Sequence, residues 1–387
     1  MKNYFSSDFR LGILGGGQLG RMLLAETQKF DLYTLILDGA ANAPCAQICN
    51  EFHHGDLMDY DTVYRFGKKT DLLTIEIEHV NIEALKQLKA EGLTIYPEPE
   101  VLELIQHKGR QKDFYTDNNL PTAAYTHHQS KKELFELDLP FVWKSAQFGY
   151  DGNGVKVIRK KEDLSDLPDL PCIAEKLIPF KNELAVIVAR SARGEIRTYP
   201  VVEMEFHPSA NQVEYVICPA RISKKLADKA QEVALRTSEA FGLTGLLAVE
   251  MFQTQDDEIL INEVAPRTHN SGHYSIEASY TSQFEQHLRA ILDLPLGKTD
   301  SKVASVMVNL VGEAGYSGPV VYENMEVILK MEGVTPHIYG KKETRPFRKM
   351  GHVTIVNDDM DEARRIAGMV KEMIKVKSLP AAGRDKV

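Results

Sequence analysis

The sequence has little cysteine, no long hydrophobic run and no excess of positive charge. Only Cys45, Cys49, Cys172 and Cys218 stand among 387 residues, with no C-x-x-C pair. This low number argues against a disulfide framework, so we expect buried, reduced thiols and a cytoplasmic setting. No run approaches the roughly 18 apolar residues of a membrane span, so no membrane partner is expected. The start, MKNYFSSDFR, lacks the apolar core of a signal peptide.

The charge balance limits the kinds of partner. Lys and Arg number 46 against 55 Asp and Glu, a net charge of −9. Proteins that bind nucleic acid present broad basic surfaces, because these replace counterions along the phosphates, so we expect no nucleic-acid partner. Local basic clusters still suit a small phosphorylated ligand. The length predicts two or three domains, and the 43% hydrophobic content is ordinary for a globular protein.

Two apolar runs, at 246–252 and from 260, flank a polar segment at 253–258. This pattern predicts an antiparallel hairpin. Symmetric pairing would place Glu250 opposite Glu263, roughly 5 Å apart, where like charges destabilise a sheet. A divalent cation would remove that cost, because Mg²⁺ is held by carboxylates that leave positions open for phosphate oxygens. The alternatives are that both acids face water, or that one pairs with a lysine.

The segment that follows the hairpin, PRTHNSGH at 266–273, is rich in hydrogen-bonding side chains. Arg267 supplies a planar cation, His269 an imidazole and Asn270 an amide, beside a hydroxyl and a second imidazole. Binding residues gather on loops held by a rigid scaffold. The segment therefore predicts a binding site next to the two acids.

The N-terminal region predicts a β-α-β unit, with an apolar run at 9–14, the turn GGGQLGRM at 15–22, a helix to about Phe30, and a strand at 32–37. A glycine turn at a helix N-terminus presents backbone N–H groups to an anion. Asp38, about 20 residues after the turn, would suit a dinucleotide ribose. A lone G-x-G-x-x-G motif leaves dinucleotide binding, another ligand edge and tight packing all open.

The next segments predict more α/β structure. Glu76 and Glu78 come at the carboxyl end of a predicted strand, where ligands bind in open sheets, although an exposed edge is the alternative. One helix is expected at 101–118, and a new unit from Pro121. The loop GYDGNG at 149–154 lies between two predicted strands, where it would fold over a triphosphate or form a simple hairpin turn.

The last part of the chain alternates short strands and helices and contains a basic segment, KKETRPFRK at 341–349. Five cations in nine residues suit a phosphate ligand, although a surface charge run is the alternative. Helices are expected at 224–241, 284–292 and 360–374, and strands at 304–310 and 352–356.

Four stretches together resemble the ATP-grasp superfamily and, within it, the N5-carboxyaminoimidazole ribonucleotide synthetases: GGGQLGRM, GYDGNG, NEVAPRTHNSGH at 262–273 and RKMGH at 348–352. The resemblance covers nearly the whole chain. It implies an α/β and α+β multidomain protein, with an N-terminal Rossmann-like domain at 1–108, an ATP-grasp domain at 109–297 and a small C-terminal domain at 298–387.

The resemblance also implies an activity. The chain would be a carbon–nitrogen ligase of de novo purine biosynthesis that carboxylates 5-aminoimidazole ribonucleotide with ATP and bicarbonate, through carboxyphosphate. It would use two Mg²⁺ ions, and a homodimer is the family habit. Three other classes stay open: a formate-dependent ATP-grasp ligase of the glycinamide ribonucleotide transformylase type, a non-catalytic nucleotide-binding regulator, and an NAD-dependent oxidoreductase.

Site residues follow from the resemblance. Glu250 and Glu263 would hold the metal, and Arg267, His269 and Asn270 would be catalytic. The ribotide would contact Gln18, Leu19, Glu78, Tyr150, Asp151, Arg267, His269, Asn270, Lys341 and Arg348. ATP would contact Lys108, Lys144, Gly149, Tyr150, Asp151, Gly152, Asn153, Gly154, Val155, Glu175, Lys176, Leu177, Ile178, Glu183, His207, Asn262 and Glu263.

Overall fold

The computed structural model describes residues 3–147, 154–207 and 212–379. The first part of the chain forms β1 (Arg10–Leu14), α1 (Gln18–Thr27), β2 (Tyr33–Asp38), β3 (Glu51–His54), α2 (Tyr60–Gly67), β4 (Leu72–Ile75), α3 (Ile82–Ala90), β5 (Thr94–Tyr96), α4 (Pro99–Gln106) and α5 (Lys108–Asp117). The strands make a parallel sheet in the order β3-β2-β1-β4-β5. This topology confirms the predicted β-α-β start.

The single helix expected at 101–118 is wrong. The chain breaks at His107, whose backbone is extended (φ −115°, ψ 98°), and two helices result. The His107 ring caps the second helix by accepting a hydrogen bond at Nδ1 from the Arg110 N–H, at 3.1 Å. The break places Lys108 at the first position of α5, where its side chain enters the site described below.

The central part contains β6 (Tyr125–His128), β7 (Phe141–Ser145), β8 (Val155–Ile158), β9 (Cys172–Lys176), β10 (Phe180–Arg190), β11 (Ile196–Thr198), β12 (Val202–Phe206), β13 (Val213–Cys218), α6 (Lys224–Phe241), β14 (Gly245–Thr254), β15 (Ile259–Ala265), α7 (Ser275–Ala278) and α8 (Gln283–Ile291). A four-stranded antiparallel sheet runs β6-β9-β7-β8. Helix α6 has the predicted bounds. Ser223 caps its start, and Gly242, with φ +62°, ends it.

The last part contains β16 (Ala304–Val311), β17 (Gly318–Glu323), α9 (Met325–Ile328), β18 (Val334–Ile338), β19 (Glu343–Thr344), β20 (Lys349–Asn357), α10 (Met360–Met373) and β21 (Lys375–Ser378). The large sheet runs β15-β14-β10-β12-β13-β16-β20-β18, with β11 on β10. Pairing of β13 with β16 therefore makes one continuous sheet from the central and C-terminal strands. No helix in the described part of the chain has the length and apolar character to cross a membrane.

Alternation along the central strands decides which side chains face the site. Val249 and Met251 of β14 belong to the core cluster that packs against α6. Ala248 belongs to the cluster on the other face, which includes Ala290 of α8. Side chains alternate between the faces of a strand, so Glu250 lies on the same face as Ala248.

The glycine turn is closed by carboxylates of the chain itself. Gly16 N–H donates to Asp38 Oδ2 at 2.7 Å. The N–H groups of Gly17 and Gly20 donate to the two oxygens of Glu76, at 2.9 and 3.0 Å. Glu76 is 9% exposed, so the prediction that it lies at a ligand-binding or solvent-exposed edge of the sheet is wrong. Because these donors are engaged, the turn does not offer them to a dinucleotide pyrophosphate.

Replacing Glu76 by Ala should destabilise the protein by about 2–5 kcal/mol, because one buried and one partly buried N–H group would lose their acceptor, at roughly 1–3 kcal/mol each. Urea denaturation measures this change. Glu83→Ala, on the exposed face of α3 with a side chain 73% exposed, is the matched control and should stay within about 0.5 kcal/mol of the parent. Equal midpoints for the two variants would contradict the structural role of Glu76.

Candidate active site

The acid pair is formed as the hairpin pattern predicts. Strands β14 and β15 are antiparallel, and Glu250 pairs with Glu263. The register shifts immediately afterwards, since Met251 pairs with Ile261, which leaves Asn262 as a bulge residue. Bulges re-aim side chains and are common beside active sites. Two carboxylates and one amide are thereby brought together at this end of the hairpin.

The two acids have different basic side chains as neighbours. Lys108 Nζ lies 2.6 Å from Glu263 Oε2, and His269 Nε2 lies 3.2 Å from Glu250 Oε1. The ammonium of Lys108 lowers the pKa of Glu263, whereas burial, and then the charge of Glu263, raise the pKa of Glu250. The opposed pair and the lysine partner, considered above as alternatives, therefore occur together. The two acids are not equivalent, because Glu263 carries the charge and Glu250 tends to hold a proton.

A third carboxyl group, that of Glu183, belongs to the same group of acids. Glu183 is on β10, which pairs with β14. Burial, followed by the charge of Glu263, raises the pKa of Glu183 to about 7. Negative charge is therefore already costly here, and the site favours a positively charged ligand.

The donor set suits a metal ion that is shared with a substrate. Among the residues the structure describes, there is no cluster of three or more His, Cys, Asp and Glu side chains suited to a metal. The oxygens of Glu250, Glu263 and Asn262 are hard ligands, and Mg²⁺ is commonly held by one or two carboxylates together with substrate phosphates. The geometry fits an ion that enters with a nucleotide.

A buried charge network lies behind the acids. Lys144 Nζ is 3.1 Å from Glu175 Oε2 and donates to Asn262 Oδ1 at 3.1 Å. Lys112 Nζ is 3.2 Å from the other oxygen of Glu175. Glu175 is 4% exposed, and its carboxylate is engaged by these two lysines. In the segment 175–178 predicted to contact ATP, the residues that are partly or fully exposed are Lys176, Leu177 and Ile178.

Lys112 was not singled out from the sequence, because it lies among other charges in KGRQK. Burial lowers its pKa to about 8 despite the nearby Glu175. Val155 begins β8 and pairs with Lys144 of β7, and Gly154 immediately precedes it. The other predicted phosphate-covering residues lie outside the described part of the chain: Gly149, Tyr150, Asp151, Gly152 and Asn153.

The turn after β15 connects to both flanking parts of the chain. Arg267 Nε is 2.9 Å from Glu78 Oε1, just beyond the N-terminal sheet. The amides of Asn270 and Asn309 exchange two hydrogen bonds, each 2.9 Å long. Asn309 was missed from the sequence, although it is the only polar residue between Val306 and Leu310 of its strand. Its amide holds Asn270 against β16.

The basic segment folds back beside the acids. Lys341 Nζ donates to the Lys349 carbonyl at 2.7 Å, and Arg348 donates to the Glu343 carbonyl at 2.6 Å. Burial and the neighbouring acids raise the pKa of Glu250, and the charge of Lys349 partly offsets this rise. Lys349 therefore lies close enough to act on the acid pair electrostatically.

Three further residues predicted to contact the ribotide or ATP lie on α1 or near the basic segment: Gln18, Leu19 and His207. Gln18 begins α1, and Leu19 is buried in the core, so its side chain serves packing. A Cβ atom on Gly340 would lie 3.2 Å from the Arg21 guanidinium, so the chain before the basic segment packs on α1. The His207 ring lies 6.1 Å, centroid to centroid, from Phe347 of the basic segment.

Comparison with known families matches three consecutive parts of the chain. Residues 9–106 match the ribonucleotide synthetase preATP-grasp domain, and residues 113–284 match the ATP-grasp domain. Residues 305–366 match the phosphoribosylaminoimidazole carboxylase C-terminal domain. These matches confirm the predicted fold class, while the exact domain boundaries stay a prediction.

Relatives with similar sequences are enzymes. An N5-carboxyaminoimidazole ribonucleotide synthase of Bacillus subtilis is 37% identical over 91% of this chain and 92% of its own length. A phosphoribosylaminoimidazole carboxylase of Saccharomyces cerevisiae is 39% identical over 92% of this chain and 65% of its own length. The chain thus spans about two thirds of the length of such fungal relatives.

Solved structures agree along nearly the whole chain. The N5-carboxyaminoimidazole ribonucleotide synthetase of Thermotoga maritima has a TM-score of 0.89 at 41% identity, covering 96% of this chain and 100% of that one. The Aspergillus clavatus enzyme, in complex with ADP and 5-aminoimidazole ribonucleotide, has a TM-score of 0.85 at 34% identity, covering 94% and 98%.

Removing the two acids one at a time should have opposite effects on the metal-free protein at neutral pH. Glu250→Gln should keep or raise the free energy of unfolding, because it removes a carboxyl that is costly to ionise. Glu263→Gln should lower the free energy of unfolding by roughly 1–2 kcal/mol, because Lys108 would lose its ion-pair partner. The loss is smaller than for a fully buried pair, since solvent screens the partly exposed Glu263. Urea denaturation in chelator measures both changes.

The free energy of unfolding should depend on pH in opposite directions for the two acids. A raised pKa for Glu250 means that the folded state holds a proton which the unfolded state releases, so stability falls as pH rises above the ordinary value of 4.5. Glu250→Gln should flatten that fall. The lowered pKa of Glu263 instead adds stability above pH 4.5 that is lost as pH falls. If both variants changed the pH dependence of the unfolding free energy equally and in the same direction, the assignment of the charge to Glu263 and of the proton to Glu250 would be contradicted.

Proposed function

The chain belongs to the N5-carboxyaminoimidazole ribonucleotide synthase family of ATP-grasp ligases, and we propose that the cleft around Glu250 and Glu263 carries the reaction of that family. ATP, bicarbonate and 5-aminoimidazole ribonucleotide would give ADP, phosphate and N5-carboxyaminoimidazole ribonucleotide, a step of purine biosynthesis. The observation that supports this most strongly is the opposed acid pair, set between Lys108 and His269 within a chain that matches these synthases along nearly its whole length.

The reaction has two bond-forming steps. A bicarbonate oxygen attacks the γ-phosphorus of ATP, and ADP leaves, which gives carboxyphosphate. The amine of the ribotide then forms a bond to the carboxyl carbon, and phosphate leaves. Catalysis of phosphoryl transfer is mostly positioning and neutralisation of charge. A site built of fixed cations and acids suits such a reaction.

The phosphates would be bound by Lys108 and Lys144. Both ammonium groups already lie beside the acids: Lys108 contacts Glu263, and Lys144 contacts Glu175 and Asn262. Glu250 and Glu263 would hold two Mg²⁺ ions, which neutralise the phosphate oxygens when bound. Lys108 would then contact phosphate oxygens, since a carboxylate that binds metal no longer needs its ammonium partner.

The adenosine would occupy the rest of the nucleotide end. Glu183, on the strand beside Glu250, is the candidate for the ribose hydroxyls, and segment 175–178 for the adenine. The predicted loop residues 149–155 would cover the phosphates. His207 remains an additional candidate contact.

Bicarbonate would bind between Arg267 and His269. Arg267 is held by Glu78, and His269 lies against Glu250, so both side chains are fixed before the substrate arrives. Preorganised donors stabilise developing negative charge without reorganisation. Exclusion of water matters here, because carboxyphosphate that meets water is hydrolysed. Asn270, fixed by Asn309, would complete this end of the site.

The ribotide phosphate would bind the basic segment through Lys341 and Arg348, with Lys349 nearer the acids. Gln18, Leu19 and Glu78 would line the same end, together with Tyr150 and Asp151. A homodimer, which the family resemblance implies, and a cytoplasmic setting, which the low cysteine content favours, complete the proposal.

Turnover tests the function. Release of ADP should require Mg²⁺ and bicarbonate, and 5-aminoimidazole ribonucleotide should stimulate it, because each takes part in a step above. A coupled assay for ADP, run with each component omitted in turn, measures this. Equal activity with formate and glycinamide ribonucleotide would support the transformylase alternative instead. ATP binding without any turnover would support the regulator.

The basic segment is tested by Arg348→Ala. Loss of a charge-assisted phosphate contact should raise the KM for the ribotide about 10- to 150-fold, since such a bond contributes roughly 1.5–3 kcal/mol. The KM for ATP should change by less than about 3-fold, because ATP binds other residues. Arg345→Ala is the matched control, as it removes the same charge from an exposed position of the same segment. Equal effects of the two changes would mean that Arg348 acts only through overall charge.

A further inference from the structure

Gln283 is fully buried at the start of α8 and makes three side-chain hydrogen bonds to the segment that follows the acid pair. Its Oε1 accepts the backbone N–H of His269 at 2.9 Å, and its Nε2 donates to the backbone carbonyl of His269 at 2.7 Å. The same Nε2 lies 3.0 Å from His273 Nδ1. One side chain therefore engages both backbone polar groups of His269.

The orientation of this amide is determined by its partners. A backbone N–H only donates and a backbone carbonyl only accepts, so Oε1 and Nε2 of Gln283 cannot be exchanged. Because Nε2 is a donor, His273 Nδ1 must accept, which makes His273 neutral with its proton on Nε2. Burial lowers the pKa of His273 well below the ordinary value, in agreement with a neutral ring.

The same contact explains the glycine in Asn-Ser-Gly-His. A Cβ atom on Gly272 would lie 2.6 Å from Gln283 Oε1 and 2.2 Å from Ile187 Cδ1, both shorter than any ordinary contact. The segment can approach α8 closely enough to reach Gln283 only because residue 272 has no side chain.

We propose that Gln283 is a positioning residue for His269 in the bicarbonate-dependent step, an inference that rests on the function proposed above. With its backbone held on both sides, His269 keeps Nε2 3.2 Å from Glu250 Oε1 and Nδ1 2.9 Å from Ser271 Oγ. Loss of the amide would leave the His269 backbone groups without their partner and would release the ring from Glu250. ATP contacts other residues and should be affected little.

The chain supplies a matched control in Gln286. It lies on the same helix, is likewise fully buried, and binds the backbone of one residue in the same two-bond manner. Its Nε2 donates to the Gly297 carbonyl at 2.9 Å, and its Oε1 accepts the Gly297 N–H at 2.8 Å. Gly297 is not among the residues of the proposed site, so a change at Gln286 reproduces the structural cost alone.

The experiment compares Gln283→Glu with Gln286→Glu, since an ionised carboxylate keeps the size of the side chain and still accepts, but has no hydrogen to donate in place of Nε2. Gln283→Glu should lower kcat/KM for bicarbonate about 10- to 100-fold, with the KM for ATP changed by less than about 3-fold. Gln286→Glu should lower the melting temperature similarly, yet leave kcat/KM for bicarbonate within about 2-fold. Equal kinetic losses in the two variants would overturn the proposal.

A spectroscopic readout separates failure of this proposal from failure of the proposed function. In ¹⁵N-histidine NMR spectra, His273 of the unaltered protein should be neutral with its proton on Nε2, and Gln283→Glu should move the proton to Nδ1 or charge the ring. A His273 protonated on Nδ1 in the unaltered protein would overturn the proposal even if no variant folds. Unaltered protein without bicarbonate-dependent turnover would instead refute the function.

Discussion

The repulsion between two carboxylates on neighbouring strands is the constraint on which the site depends. Glu250 and Glu263 are paired across β14 and β15, where two ionised carboxylates would oppose each other, and burial, together with this repulsion, raises the pKa of Glu250. Lys108 compensates one of them and His269 contacts the other. The surrounding charges are arranged about this pair, so a cation bound together with phosphate groups, as proposed, would replace protein contacts that already exist.

The segment after β15 connects three parts of the fold. Arg267 contacts Glu78 beyond the N-terminal sheet, and Asn270 contacts Asn309 in a strand that continues towards the C-terminal end of the chain. Gln283 holds the backbone between these two contacts. The residues proposed to meet bicarbonate are therefore fixed by contacts from every side, as is required to keep reacting atoms within a few tenths of an ångström.

Local pattern predicted much of the fold, because it depends on neighbours in the sequence. The bounds of α6 followed from its amphipathic period and from Gly242 at its end, and the pairing of Glu250 with Glu263 followed from symmetry about a polar loop. The contacts of Glu76 did not follow, since its partners Gly17 and Gly20 are 59 and 56 residues away. Gln283 and Asn309 were missed for the same reason: a buried amide is recognisable only when its partner is known.

The most direct test of the central claim is a double-mutant cycle on turnover with Glu250→Gln, Glu263→Gln and the combined variant. If the two acids act as one unit that binds cation and nucleotide together, each single change should reduce kcat by orders of magnitude. The combined variant should then lose little more than the more damaging single change. A combined loss equal to the product of the two single losses would show that the acids act independently and would contradict the account.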